Sequence, residues 1–226
     1  MIKHLIKFDF CIELLHAILY FFRIMPRRKL FTLLELMIVI SIFLILISIL
    51  KPSLRKVLSS SRLIQCSNNL SHVYTGLSLY MDDFDDSCPG PSWAGQEASI
   101  RGRRQLSEYI NIYFEEKISD NGDNYLNEML CPENFELDLN INPYRRTGFL
   151  ASYIRGLGYP FGRPNFSLPK KVYEIPNLSQ NTAMIEADFN NYPYIGINRI
   201  SEFPMHFGIY RNSLYFDGHV DTIDFR

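Results

Sequence analysis

The chain has 226 residues, which is enough for one membrane helix and one modest folded domain. Residues 1–30 hold six Lys or Arg against two acidic residues, whereas the whole chain has a net charge of −1, so the remainder is mildly acidic. An acidic remainder argues against nucleic-acid binding, which requires a basic face.

Residues 31–50 form an almost wholly apolar run, FTLLELMIVISIFLILISIL, interrupted by Glu35. At about 1.5 Å per residue, a helix of this length matches a hydrocarbon core of about 30 Å. A carboxylate in such a helix costs on the order of 3 kcal/mol near the bilayer centre, so Glu35 implies a partner or a role. The basic cluster at 27–29 predicts a single-pass topology with the N-terminus in the cytoplasm and the rest of the chain outside.

Residues 1–30 are predicted to be a basic leader, and the apolar run at 31–51 to be the transmembrane half of a long helix. An apolar stretch at 14–22 lies close to Asp9 and Glu13 and contains His16, so it is not expected to be a second span. Met25 begins MPRRKLFTLLE, which alone makes an ordinary short basic leader. We expect translation to begin at Met25 and residues 1–24 to carry no function.

Residues 52–84 are predicted to continue the helix as an amphipathic half. Pro52 removes one backbone hydrogen bond and is expected to kink it. One apolar stripe follows, at alternating spacings of four and three: Cys66, Leu70, Val73, Leu77, Tyr80 and Phe84. The stripe is short and lacks charged flanks, so packing on its own domain is favoured over a coiled coil.

Residues 85–226, called the head below, are predicted to form an exported globular α+β domain. The breaker-rich segment at 85–91 ends the long helix, and a short helix is expected at 104–114. Short β-prone segments separated by Gly, Pro and Asn predict a small antiparallel sheet, on which the long helix packs. These segments are 149–154, 182–188, 194–197, 213–216 and 220–225.

The segment Phe31-Thr32-Leu33-Leu34-Glu35 and the apolar run after it resemble the N-terminal cleavage and methylation segment of type IV prepilins and type II secretion pseudopilins. In that family the fifth mature residue is Glu, and the peptide bond before the Phe is cut on the cytoplasmic face. The new amine is then methylated. The family usually has Gly before the Phe, whereas this chain has Leu30.

The resemblance continues into a bacterial subfamily of prepilin-like proteins. The matching segments are 61–70, 80–83, the pair Cys131-Pro132, and His206 followed after a spacer by Asp217-Gly218 and then His219-Val220. The subfamily spacer has nine residues and this one has ten, with the extra residue expected within 208–212. An extra residue there could shift His206 relative to the hairpin.

The resemblance implies a pilin-like fold and a subunit of a type II secretion or type IV pilus-like filament in the bacterial inner membrane. The head would lie in the periplasm or on the cell surface, and processing would fall between Leu30 and Phe31. The chain would then be the substrate of the prepilin peptidase and methylase, not an enzyme, and would need no cofactor. During assembly, Glu35 would pair with the Phe31 amine of a neighbouring subunit.

The alternative is an uncleaved, single-pass, membrane-anchored binding module outside the cytoplasm, whose head recognises a surface polymer or a partner. This alternative depends on Leu30 weakening the peptidase site. An uncut N-terminus and the absence of crosslinked oligomers would favour it.

Three cysteines beyond the leader are expected in an oxidising compartment, where a disulfide is predicted. The subfamily pattern favours Cys66 with Cys131, but loop chemistry equally allows Cys88 with Cys131. Cys11 would be cytoplasmic or lost with the leader. A zinc site is not expected, because no second Cys or His lies at ligand spacing.

Acidic residues collect where the long helix ends, at Asp82, Asp83, Asp85 and Asp86. Clustered carboxylates are candidate Ca²⁺ ligands, and some pseudopilins bind calcium. A solvated turn is favoured instead, and because acids at a helix C-terminus oppose the macrodipole, something should offset them. Residues 120–124 are likewise interpreted as a turn, because no closing bidentate Glu follows.

His206 and Asp217 would suggest a metal-dependent hydrolase if they met in a cleft. Asp217-Gly218, however, stands between two predicted strands, where Asp-Gly is a strong signal for a two-residue hairpin turn. We therefore interpret Asp217 and Gly218 as turn residues and His206 as a packed or hydrogen-bonding residue.

Overall fold

The computed structural model describes residues 33–100, 104–115, 117–120, 122–135, 147–193 and 200–225. It contains helices α1 (Leu33–Asp83) and α2 (Leu106–Ile110). The strands are β1 (Gly95–Gln96), β2 (Lys117–Asp120), β3 (Asp123–Leu126), β4 (Phe149–Ala151), β5 (Thr182–Glu186), β6 (Tyr210–Tyr215) and β7 (Val220–Asp224). Short 3₁₀ turns occupy Asn111–Tyr113, Asn127–Met129, Pro132–Phe135 and Val172–Glu174. The predicted α+β class is confirmed.

The chain divides into two compact units, residues 1–53 and 54–226. In the first unit, every described side chain from Glu35 to Ser53 is exposed. This part of α1 lies near the N-terminus and, by length and composition, is able to cross a membrane. The leader with Leu30, and Phe31 after it, lie outside the described residues.

In the second unit, a sheet with the order β1-β4-β5-β6-β7 is formed by antiparallel neighbours. Side chains on a strand alternate between the two faces of a sheet. Accordingly, Phe149 and Ala151 join the main core, whereas Leu150 packs with Ala187 and Ile200 in a smaller cluster. Strands β2 and β3 form a separate antiparallel hairpin.

The later part of α1 supplies one side of the main core. The first four residues of the predicted stripe, from Cys66 to Leu77, are buried in one cluster with residues of β4, β5 and β6. The stripe then departs from the prediction, because Met81 is buried while Phe84 lies past the helix end and is 49 % exposed. The ring of Phe84 stacks on Tyr80 with centroids 4.2 Å apart. The helix passes through Pro52 without ending there.

Four of the five predicted strand segments are confirmed. The segments predicted at 149–154, 182–188, 213–216 and 220–225 correspond to β4, β5, β6 and β7 with shifted ends, and that at 194–197 lies outside the described residues. Strands β1, β2 and β3 were missed, since β1 has only two residues and the segments of β2 and β3, KISD and DNYL, are largely polar. The short helix expected at 104–114 is α2 followed by a 3₁₀ turn.

Candidate functional site

A buried cluster of four metal-binding side chain types lies where α1 meets the sheet. It consists of Cys66 in α1, Cys131 in the loop before a 3₁₀ turn, Glu186 at the end of β5, and His206 shortly before β6. All four residues are fully buried, and the ligand atoms lie within 4.8 Å of one another. Among the described residues, no other group of three or more His, Cys, Asp or Glu converges in this way.

Oε1 of Glu186 is the centre of the cluster's hydrogen bonds. The Cys66 thiol donates to it over 2.7 Å, and Nε2 of His206 lies 2.9 Å from it. The sulfur of Cys131 lies 3.5 Å from Nε2 of His206 and 4.0 Å from Oε1. Nδ1 of His206 is buried without a hydrogen-bond partner among the described residues.

Asn212 in β6 fixes the orientation of the Glu186 carboxylate. Its backbone N–H donates to Oε2 over 2.7 Å, and its side-chain amide donates to Oε1 over 3.1 Å and to the carbonyl of Leu63 over 3.2 Å. The amide oxygen accepts a hydrogen bond of 2.7 Å from the hydroxyl of Thr222. A chain of polar contacts therefore holds Oε1 of Glu186 towards the two cysteines and the histidine.

Burial and mutual contacts shift the pKa values within the cluster. Burial, aided by contacts with Cys131 and Glu186, raises the pKa of Cys66 well above that of an ordinary thiol. For His206, burial alone would lower the pKa, but hydrogen bonds to Cys131 and Glu186 and the Glu186 charge raise it to about 10. Burial opposes ionisation of Cys131 too, yet hydrogen bonds from Cys66 and His206 lower its pKa. These contacts favour the protonated form of His206.

Two residues of α1 hold the Cys131 loop in place. The guanidinium of Arg62 lies 3.4 Å from the Glu133 carboxylate, and the amide of Asn69 donates to the carbonyl of Leu130 over 2.7 Å. Arg62 and Asn69 stand four residues before and three residues after Cys66, so the three side chains share one helix face. The contacts on both sides of Cys66 position Cys131 against it.

A second buried ion pair lies two residues along the chain from Glu186. Arg211 donates two hydrogen bonds to the Asp188 carboxylate, one from Nε and one of 2.8 Å from Nη2. Both side chains are almost fully buried, and the guanidinium lies 3.9 Å from the centroid of the Phe225 ring. The end of β5 and the segment after it thus place two buried acids, each in contact with a basic side chain from residues 206–211.

The three described cysteines are all free thiols. The structure brings Cys66 and Cys131 together and does not place Cys88 with them. Burial, reinforced by the charge of Glu174, raises the pKa of Cys88 to about 12. The pair favoured by the subfamily pattern is therefore the pair that the fold makes adjacent.

The structure does not bring His206 and Asp217 into one site. His206 is enclosed in the cluster, whereas Asp217 is exposed and its carboxylate lies 2.6 Å from Nδ1 of His219. The turn at Asp217 is longer than the predicted two residues, because Tyr215 accepts a hydrogen bond from the N–H of Gly218 and donates to the carbonyl of His219. Gly218 takes the left-handed conformation, with φ of 94°, as in three-residue hairpin loops.

Two of the four acidic residues at the end of α1 have side-chain partners. The Lys171 ammonium lies 2.6 Å from the Asp85 carboxylate, and the Tyr113 hydroxyl donates to Asp83 over 2.7 Å. Asp82, Asp83, Asp85 and Asp86 are exposed and do not converge on a common point.

Glu35 lies in the first turn of α1, where a negative charge complements the helix dipole.

Sequence reasoning missed Glu186 and Asn212, and it dismissed a metal at the cysteines. The missed signal was the segment TAMIEAD, in which acids at 186 and 188 follow an apolar strand pattern. The cluster itself closes over separations of 120 residues between Cys66 and Glu186 and 75 between Cys131 and His206. A search for closely spaced ligand pairs cannot find such a set.

The arrangement can bind a cation or hold an ion pair, but it has no open face for a substrate. All four side chains are 0 % exposed, so a reaction at Cys131 or His206 would first require the core to open. Comparison with protein-family models, with curated proteins and with solved structures finds no match for this chain.

Proposed function

We propose that this chain is a membrane-anchored, prepilin- or pseudopilin-like subunit of a type II secretion or type IV pilus-like filament. One observation carries the proposal: α1 joins an exposed apolar segment to an amphipathic segment that is buried against a small antiparallel sheet. Each half of the helix then has its own role, the first in lipid or in a filament core and the second within the folded head.

The exposed half of α1 needs an apolar environment. From Leu33 to Leu58, all the large hydrophobic side chains described are at least 40 % exposed. Apolar surface on this scale marks a membrane segment or a protein contact. A lipid bilayer is the apolar environment for a membrane segment, and the helices of like subunits in a filament are the apolar environment for a protein contact.

Glu35 supplies the polar contact that assembly requires. A carboxylate in an apolar helix is costly alone and much less costly beside a cation. In the resembled family that cation is the amine of the processed Phe31 on a neighbouring subunit. The proposal therefore includes cleavage between Leu30 and Phe31 on the cytoplasmic face of the inner membrane, with the head outside.

The test is co-expression of the full chain with a prepilin peptidase, followed by mass spectrometry of the N-terminus. The proposal expects a fragment that begins at Phe31 with a methylated amine, and a variant Leu30→Gly that is cleaved more completely. A Leu30→Asp variant is the matched control, since it alters the same position without supplying the small residue of the family. An intact N-terminus in both the natural chain and Leu30→Gly would refute processing.

An uncleaved, membrane-anchored binding module is the second candidate. Leu30 favours it because the resembled family usually has Gly at that position, and the head carries large apolar side chains open to solvent. Among these are Tyr153, Phe166, Leu168 and Tyr173, which are 61–79 % exposed. An uncut chain that remains monomeric in membranes, with no crosslinks between subunits, would favour this candidate.

A further inference from the structure

We infer that Cys66, Cys131, Glu186 and His206 form a structural binding site for one zinc-class transition-metal ion. This inference goes beyond the proposed function, because it concerns the contact between α1 and the head and does not depend on cleavage at Phe31. It rests on the type, number, spacing and burial of the donors.

The donor atoms suit a soft divalent metal. Two sulfurs, one imidazole nitrogen and one carboxylate oxygen are donors that Zn²⁺ accepts, whereas Ca²⁺ and Mg²⁺ take oxygen ligands. Each residue contributes one atom, and four protein donors fill a tetrahedral site. A site closed in this way binds a structural ion, since no position remains for water or substrate.

The distances lie close to those of a tetrahedral zinc site. With metal–sulfur bonds of about 2.3 Å and metal–nitrogen or –oxygen bonds of about 2.0 Å, tetrahedral donors lie about 3.3–3.8 Å apart. Cys131 stands 3.5 Å from His206 and 4.0 Å from Oε1 of Glu186. The two shorter distances, from Oε1 to Cys66 and to His206, are hydrogen bonds that an ion would replace. To reach tetrahedral separations, Oε1 has to move about 0.8 Å further from the Cys66 sulfur and about 0.4 Å further from Nε2 of His206.

The surroundings of Glu186 favour a bound metal ion over a disulfide between the two cysteines. Asn212 binds both oxygens of the carboxylate and is itself held by Thr222, an arrangement that orients a ligating carboxylate. A disulfide between Cys66 and Cys131 would use neither Glu186 nor His206. The metal uses all four buried groups and is incompatible with that disulfide, because thiolates are the ligands.

The bound ion would link α1 to the sheet through its ligands. Its ligands come from α1, the Cys131 loop, β5 and the segment before β6, which are distant in sequence. A structural zinc site contributes directly to folding free energy, because the unfolded chain has no preformed site. The Cys-Pro pair and the C-terminal histidine, singled out separately in the sequence, then have one shared role.

The test starts from the full chain, purified in detergent under anaerobic, chelator-free conditions, with thiols alkylated at lysis. We expect about one zinc per chain by elemental mass spectrometry, with Cys66 and Cys131 protected from alkylation until a chelator is added. X-ray absorption of the natural chain should show two sulfur and two lighter ligands. This measurement requires no variant and so does not depend on a mutant folding.

The variants Cys66→Ser, Cys131→Ser and His206→Gln should each bind at least about tenfold less zinc after reconstitution. Cys88→Ser and His219→Gln are the matched controls, because they change a buried cysteine and a histidine outside the cluster and should keep the full amount. Fluorescence of Trp93, the single tryptophan, reports whether each variant is folded.

Three results would overturn the inference. The first is a Cys66–Cys131 disulfide in protein trapped at lysis without metal. The second is a natural chain that is folded and reduced yet takes up no zinc or cobalt. The third is zinc bound through oxygen and nitrogen alone, with both thiols still open to alkylation.

Discussion

Gly218 lies directly against the aromatic ring of Tyr74. A methyl group on Gly218 would stand 2.4 Å from Cε1 of that ring, and Gly218 also has a φ of 94°. Tyr74 belongs to α1 and Gly218 to the loop between β6 and β7. The Asp-Gly pair recognised as a turn therefore also allows the last hairpin to approach the helix closely.

Gly218→Ala is expected to destabilise the head through both strain and overpacking. Left-handed backbone costs a residue other than glycine about 1–2 kcal/mol, and overpacking adds about 1–3 kcal/mol. The free energy of unfolding is measured by urea titration of the full chain in detergent, followed by Trp93 fluorescence.

Gly156→Ala separates the two effects. Gly156 has a φ of 89° but open space where its Cβ would lie, so only the backbone cost should appear. In a Tyr74→Ala background, Gly218→Ala should lose its overpacking cost. Equal destabilisation by the Gly218 and Gly156 variants would show that the ring does not restrict the turn.

The packing of the second half of α1 leads to the next prediction. Leu70 is fully buried between the helix and the sheet, so Leu70→Ala should lower the free energy of unfolding by about 2–5 kcal/mol. Ile64 lies in the same helix and is 62 % exposed, so Ile64→Ala should change the value by less than about 0.5 kcal/mol. Similar losses for both variants, by the same titration, would contradict the assigned helix face.

The helix face was predictable from sequence because a stripe repeats every three or four residues over several turns. The same reasoning located β4 to β7, whose apolar segments are bounded by Gly, Pro and Asn. It continued the stripe through Tyr80 and Phe84 instead of Met81, since from Leu77 a spacing of three and a spacing of four fit the pattern equally well. Each of these elements is specified by a short stretch of sequence, and hydrophobic periodicity is a property of such a stretch.

The cluster and the second ion pair were not predictable in this way. Cys66 and Glu186 meet only because α1 packs on the sheet, and Glu186 acquires its orientation from Asn212 on the next strand. Sequence reasoning searched for ligands at short spacings and therefore expected no zinc. Acids that directly follow an apolar strand pattern are the feature to look for, because Glu186 and Asp188 are buried and each needs a polar partner.

The Asp188–Arg211 pair gives a prediction that a double-mutant cycle can measure. Removing one buried charge leaves the other uncompensated, so Asp188→Asn or Arg211→Met should each cost about 3–5 kcal/mol. The double variant should cost clearly less than the sum, with a coupling energy of at least about 1 kcal/mol.

The exposed pair Lys170–Glu174, separated by 3.7 Å, is the control. Its coupling energy should be below about 0.5 kcal/mol, because water screens an exposed i,i+4 pair. If the two pairs show the same coupling, the Asp188–Arg211 pair is not buried as the structure has it.

The Asp85–Lys171 pair predicts how stability changes in acid. The hydrogen bond from Lys171, and then its charge, lower the pKa of Asp85 below its ordinary value of 3.8. A carboxyl group with a lowered pKa in the folded state stabilises the protein above its ordinary pKa, and this contribution disappears as the pH falls through the folded value. The natural chain should therefore lose more stability than Asp85→Asn as the pH falls below about 4, measured by urea titration at each pH.

Asn is the suitable replacement because Asp85 has a φ of 55°, a conformation that Asn tolerates well. Lys171→Met should reduce the acid sensitivity in the same way, since it removes the cation that lowers the pKa of Asp85. Asp82→Asn changes an exposed carboxylate in the last turn of α1 and should leave the pH dependence close to that of the natural chain. If Asp82→Asn matched Asp85→Asn instead, the acid sensitivity would come from the overall negative charge of the segment and not from the contact with Lys171.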